Sequence, residues 1–263
     1  MQQLHFYKFD GAGNDFVLVD ARERDPHLSV MDIAQICHRR FGVGADGLMT
    51  LHRGPEGYDF EMKYYNSDGR PAEMCGNGAR CISVFAYLLG VGDGAKHLRF
   101  MATDGPHEVD IESWDSDTGK GVVRLGMRAV ADDEVSQVLD GTLLNTGVPH
   151  FVLKVNDLER YDVVGEGRRL RHHPAMGAAG ANVNFVELDK SGVLHVRTYE
   201  RGVEDETLAC GTGVTACAIA MGVHKLKALG GDFCVNYSHA DGRYGQVQLV
   251  GPVSLNFEGD LML

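Results

Sequence analysis

Two cysteines stand in matching surroundings, Cys75 in MCGNGARC and Cys210 in ACGTGVTAC, each followed by Gly-x-Gly and a run with helical spacing. A helix N-terminus presents backbone N–H groups that lack intrahelical partners and carries a partial positive charge. Glycines there allow a ligand to come close to the backbone. Such a corner binds anions, a carboxylate as well as a phosphate, and it favours the thiolate of a cysteine placed in it. Neither corner is a phosphate loop, because the lysine of Gly-x-x-x-x-Gly-Lys-Ser/Thr is missing. Neither matches the Gly-x-Gly-x-x-Gly dinucleotide fingerprint.

Two thiols on opposite sides of one bound molecule suit one reaction well. One thiolate removes a proton from a carbon, the other thiol returns a proton to the opposite face, and the stereocentre inverts. The α-proton of an amino acid is only weakly acidic, so two helix N-termini aimed at its carboxylate are suitable partners for the developing charge. Thiols titrate near enough to neutrality for general acid–base work.

The elements that must position these thiols are legible as a repeat. Cys75, Gly76 and Gly78 recur 135 positions later as Cys210, Gly211 and Gly213, and Phe16-Val17-Leu18 recurs at the same offset as Phe151-Val152-Leu153. The halves are expected over 1–130, carrying Cys75, and 131–263, carrying Cys210, with a polar joint near VADDEVSQVLDG. Short alternating segments such as DFEMKYYN, NVNFVELD and LHVRTYER, broken by Gly, Asp and Asn, suit mostly antiparallel strands. After each Gly-x-Gly one helix is predicted: Ile82, Phe85 and Leu89 before Gly90, then Val214, Cys217, Ala218 and Met221 before Gly222. The expected fold is α+β: two pseudo-symmetric lobes, each a mostly antiparallel curled sheet around a central helix, with the site in the cleft between them.

With 263 residues, 44% of them apolar, the chain can bury a sizeable core. Its net charge of -12 argues against nucleic-acid and anionic-membrane partners, which are bound through Lys and Arg. The opening residues lack the apolar run of a signal peptide, and the longest apolar stretches are too short to span a bilayer. A cytoplasmic protein is expected. Of the six cysteines, Cys37, Cys81, Cys217 and Cys234 read as buried small residues. The spacings Cys75-x5-Cys81 and Cys210-x6-Cys217 do not match zinc ligand pairs, and no metal is expected.

The motifs FDGAGNDFVLVD, RRFGVGADGL, YYNSDGRPAEMCGNGARC, TGVPHFV, NVNFV and YERGVEDETLACGTG, in this order over essentially the whole chain, resemble those of the diaminopimelate epimerase family. The resemblance implies a cofactor-independent isomerase that converts LL-diaminopimelate to the meso form, in lysine and peptidoglycan precursor synthesis, and a homodimer. It implies that Cys75 and Cys210 are the catalytic bases. Gly76 with Asn77 and Gly211 with Thr212 cradle the reacting carboxylate. Asn14, Asn66, Asn184, Glu200 and Arg201 bind substrate, while His150 and Glu200 tune the thiols. Two positions depart from the family's commonest pattern: Gly47 stands where many members have Gln, and Val148 where many have Asn. The competing readings are a proline or hydroxyproline racemase-type enzyme, also built on two opposed cysteines, and a non-catalytic binder of small anions.

Overall fold

The computed structural model describes residues 3–72 and 74–263; Met1, Gln2 and Glu73, the last in the motif before Cys75, lie outside them. The chain divides into two compact units, Met1–Leu125 together with Pro252–Leu263, and Gly126–Gly251. The twelve-residue tail thus belongs to the first unit, whereas the sequence places all of 131–263 in the second. The cause is strand pairing, since the end of the last strand runs antiparallel to the first, from Gln3 opposite Met262 to Asp10 opposite Ser254.

In the first unit the order is β1 (Gln3–Gly11), β2 (Asn14–Asp20), α1 (Val30–Cys37), β3 (Gly47–Arg53), β4 (Phe60–Asn66), α2 (Gly76–Leu88), β5 (His97–Ala102), β6 (Gly105–Asp115) and β7 (Lys120–Gly126). Hairpins are antiparallel, but the two helix crossovers create parallel pairs, β2 with β3 and β4 with β5. A strand that returns through a helix on the same sheet must run parallel to its predecessor. Helix α1 starts on a capping box, Ser29 with Asp32, and buries Ile33, Ile36 and Cys37 against Val17, Val19 and Leu48. Helix α2 takes the other face of these strands and is buried from Asn77 through Ala86. Gly90, left-handed at φ 74°, follows its end.

The second unit repeats the plan. After β8 (Val130–Ala131) and β9 (Ser136–Val138) come β10 (Gly141–Asn145), β11 (Pro149–Lys154), α3 (Val163–Arg171), β12 (Asn182–Leu188), β13 (Leu194–Glu200), β14 (Asp205–Thr207), α4 (Gly211–Met221), β15 (Lys225–Ala228), β16 (Gly231–Ala240) and β17 (Arg243–Met262). Parallel pairs again span the helices, β11 with β12 and β13 with β15. Helix α3 covers a cluster of Phe151, Val163, Leu170, Phe185 and Tyr199, each buried large side chain contributing roughly 1.5–3 kcal/mol. Helix α4 ends on Gly222, left-handed at φ 65°. Among the described residues no helix is long and apolar enough to cross a membrane.

The repeat is out of step at one place. In the first unit, Gly11 pairs with Asn14 across a two-residue turn, Ala12-Gly13, both at positive φ, the geometry of a tight hairpin. In the second, Asn145 pairs with Pro149 across three residues. One extra residue turns a strand over. Phe16 therefore lies near Gly78 on the α2 side, whereas Phe151 joins the α3 cluster. The two Phe-Val-Leu triplets match in sequence but not in facing. The residue of β11 that takes Phe16's place against the central helix is His150: Phe16 lies 3.4 Å from a Cβ built on Gly78, and His150 lies 3.3 Å from one built on Gly213.

Candidate active site

Each thiol sits at the residue that caps a central helix. Cys75 precedes α2 with φ -113° and ψ 121°, Cys210 precedes α4 with φ -114° and ψ 113°, and the first helical bonds run from Ala79 N–H to the Cys75 carbonyl and from Val214 N–H to the Cys210 carbonyl. The backbone N–H groups of Gly76-Asn77-Gly78 and Gly211-Thr212-Gly213 precede those bonds, as an anion cradle requires.

The glycines of each corner have separate tasks. A Cβ on Gly78 would lie 1.8 Å from Met49 Cε, and one on Gly213 would lie 2.6 Å from Asn184 Oδ1 and 3.3 Å from the His150 ring. The second glycine of each Gly-x-Gly thus lets the helix lie against its sheet. Among the described residues a Cβ on Gly76 would meet only Leu125, at 3.7 Å, so their packing does not demand this glycine.

Around Cys75 the contacts form a charged chain. Its Sγ lies 3.6 Å from Asn14 Oδ1, which also accepts from Asn77 Nδ2 at 3.3 Å. Asn77 Oδ1 accepts from the buried Arg80 guanidinium at 3.0 Å. Asn14 Nδ2 donates to Asp46 at 2.7 Å, and Asp46 accepts from Arg39 at 2.7 Å. Arg39 also forks onto Asp15 at 2.7 and 3.0 Å, while Lys8 donates to Asp15 at 2.6 Å and to the Gly44 carbonyl. Burial raises the Asp15 carboxyl, but the hydrogen bonds from Arg39 and Lys8 outweigh it and bring it down to about 2. A carboxylate only accepts, so Asp46 fixes Asn14 with its amide nitrogen toward the ion pairs and its oxygen toward Cys75. Cys75 thus faces an acceptor, which suits a protonated thiol.

From Cys210, 8% exposed, a chain of neutral groups runs inward. Its Sγ lies 3.4 Å from Thr212 Oγ1, which lies 2.9 Å from His150 Nε2. Asn184 Nδ2 lies 3.2 Å from both His150 Nδ1 and the Phe151 carbonyl, and its Oδ1 accepts from Thr198 at 3.0 Å. The Phe151 carbonyl accepts only, so it orients the Asn184 amide. The amide donates to Nδ1, and the imidazole proton is therefore on Nε2. Asn182 Nδ2 is farther from Nε2, at 3.5 Å, and yields to that assignment. Thr212 then accepts from Nε2–H and directs its own proton at Cys210. Burial, with the Arg201 charge added, pushes His150 down to about 3. The ring is neutral, and Cys210 faces a donor, which suits a thiolate.

Asn66 ends β4 as an exposed residue paired with Gly47. Glu200 ends β13 and accepts from Thr207 at 2.8 Å, and the Arg201 N–H donates to Asn182 Oδ1 at 2.7 Å. Asn184, expected to bind substrate, has no exposed surface, because the period-2 pattern of β12 puts it behind His150; its task here is positioning. Asp46, Arg39, Arg80, Asn182 and Thr198 were not singled out from the sequence, although all but Thr198 lie inside the quoted motifs. Asn182 opens NVNFV at i, i+2 spacing to Asn184. Cys37, Cys81 and Cys217 are buried as expected, and burial raises all three thiols, Cys37 to about 12. Cys234 is half-buried on β16, not buried. Among the described residues no group of three His, Cys, Asp or Glu could hold a metal ion.

Solved structures share this fold. A phenazine biosynthesis protein of the PhzF family from Bacillus anthracis matches with a TM-score of 0.71 and 13% identity, both chains covered in full. A hydroxyproline epimerase from Agrobacterium vitis, with trans-4-OH-L-proline bound, matches with a TM-score of 0.65 and 15% identity over 99% of this chain and 91% of that one. These likenesses define the class by fold: a sheet-rich, two-unit protein with few helices, similar to the PhzF and proline racemase type.

Sequence then narrows the class. The diaminopimelate epimerase family model matches residues 6–127 and 142–248, and the chain belongs to that family. The diaminopimelate epimerase of Flavobacterium psychrophilum is 39% identical over 97% of this chain and 99% of its own length. That of Chlorobaculum tepidum is 42% identical over 80% of each.

Proposed function

We propose that the chain is an isomerase that inverts one α-carbon of LL-2,6-diaminopimelate to give the meso form, with Cys75 and Cys210 serving opposite faces of one substrate bound between two pseudo-symmetric lobes. The observation that carries this reading is the complementary setting of the thiols. Asn14 offers Cys75 an acceptor, and Thr212, fed by His150, offers Cys210 a donor.

Cys210, as thiolate, takes the α-proton, forming an S–H bond as the C–H pair moves onto the α-carbon and its carboxylate. Cys75, as thiol, delivers its proton to the opposite face and becomes the thiolate. Atoms and charge balance, and the enzyme is left with the reverse protonation, ready for the other direction or for reset by solvent. N–H groups of Gly76, Asn77, Gly211 and Thr212 take the growing negative charge, which gains most in a water-poor site. Asn14 and Asn66 offer amides to the zwitterion. Arg201 clamps the distal carboxylate with a two-pronged bond, and Glu200 accepts from an ammonium group. Every proton passes through the chain's own side chains.

The test is incubation with LL-diaminopimelate in heavy water beside a panel of proline and hydroxyproline. Inversion with one solvent deuteron at the α-carbon, lost in Cys75→Ala and in Cys210→Ala, is the expected result. Turnover of proline without turnover of diaminopimelate would overturn the substrate, and inversion that survives either substitution would overturn the mechanism.

A further inference from the structure

Gly47 is buried in β3, and a Cβ there would lie 2.5 Å from Tyr64 Cε2, 2.6 Å from the Tyr65 carbonyl and 3.2 Å from Tyr64 Oη. Tyr64 is paired with Met49, and Gly47 with Asn66. The phenol therefore leans out of its own row into the row of Gly47, over a position that has no side chain. Because side chains alternate along a strand, Tyr64 and Asn66 share one face of β4, and register places Gly47, Met49 and Phe16 on that same face. It is the face that α2 covers, since Met49 and Phe16 both abut Gly78 in the first turn. The Tyr64 ring stands edge-on to Phe16, centroids 5.9 Å apart. Tyr64 is partly exposed, so its ring stands at the rim of this layer, beside the Phe16 that abuts Gly78, rather than in a sealed core.

The second unit supplies an internal control. There Asn184 pairs with Thr198 as Met49 pairs with Tyr64, and Asn182, two residues earlier, takes the place of Gly47. That row carries an amide in one unit and a bare backbone covered by a phenol in the other. We propose that Tyr64 is a substrate-contacting, specificity-determining residue, whose hydroxyl donates to a carboxylate of the bound amino acid from the place a side chain at position 47 would occupy. This rests on the proposed function for its substrate. A hydrogen bond to a carboxylate, which takes no part in the proton exchange at the α-carbon, governs binding more than the chemical step.

The test is Tyr64→Phe, which keeps the ring over Gly47 and removes only the hydroxyl, with Tyr64→Leu as a variant that also removes the ring. In Tyr64→Phe, KM for LL-diaminopimelate should rise about tenfold or more, as for a lost hydrogen bond to a charged group, with kcat within about threefold. In Tyr64→Leu, KM should rise at least as far. An unchanged KM in Tyr64→Phe, or a fall confined to kcat, overturns the proposal while leaving the epimerase reading intact. Wild-type turnover of proline alone overturns the substrate and this contact together.

Discussion

The two cysteine corners have nearly the same backbone and opposite chemistry. Cys75 and Cys210 share cap angles to within ten degrees, and a glycine two residues into each helix lets it rest on a strand. Beyond that the parts diverge. The first corner is braced by ions, Lys8, Asp15, Arg39, Asp46 and Arg80. The second is braced by neutral groups, Thr212, His150, Asn184 and Thr198. A duplicated frame fixes where a thiol sits; the second layer of side chains fixes which groups face it. A two-base inversion needs one thiol and one thiolate at any moment.

The most severe way to break the comparison is to remove a thiol. Cys75→Ala or Cys210→Ala should lower inversion by at least about 10²–10⁴-fold, the scale of a general acid or base, measured as loss of circular-dichroism change with LL-diaminopimelate. Next come the packing glycines. Gly213→Ala pushes on Asn184 and the His150 ring, whereas Gly78→Ala pushes on the flexible end of Met49. Urea unfolding should show a loss of about 1–3 kcal/mol for the first and less for the second. Equal losses would remove this distinction between the corners.

Thr212→Val interrupts the line from His150 to Cys210 while keeping the shape of the side chain. The acidic limb of the kcat/KM–pH profile should move upward, and kcat/KM near neutrality should fall about tenfold, the worth of one hydrogen bond to a charged sulfur; Thr212→Ser should restore most of it. The gentlest effect per pH unit is thermodynamic. His150 is held to about 3 in the fold against 6.5 for an ordinary histidine, so between these pH values the unfolded chain binds a proton the native chain refuses. Its contribution is fully present above pH 6.5 and is lost as the pH falls, by about 1.4 kcal/mol per pH unit at most. The difference in unfolding free energy between wild type and His150→Asn, followed from pH 7 to 4, should shrink accordingly.

Much of this was readable beforehand. Both central helices begin at the predicted cysteines and stop before Gly90 and Gly222, because helix starts and stops are local chemistry. The parallel pairs were not, since which strand lies beside which after a helix crossover is a long-range pairing that no local spacing records. The Phe-Val-Leu match misled for a related reason: one residue more in the turn before Pro149 reverses the strand, and a sequence alignment carries no face. Asn184 read as a substrate ligand because it is polar in a motif, but strand parity sends it inward to His150.

By itself, then, the sequence determined the family, the two thiols, their caps and the glycines that follow, all of which rest on residue type and short spacing. Tertiary structure alone decided which way each amide points, that His150 stays neutral, and that Tyr64 lies over Gly47. Those outcomes depend on groups brought together from 14 to 62 residues apart and on water being excluded from them, and neither is written in any one stretch of chain.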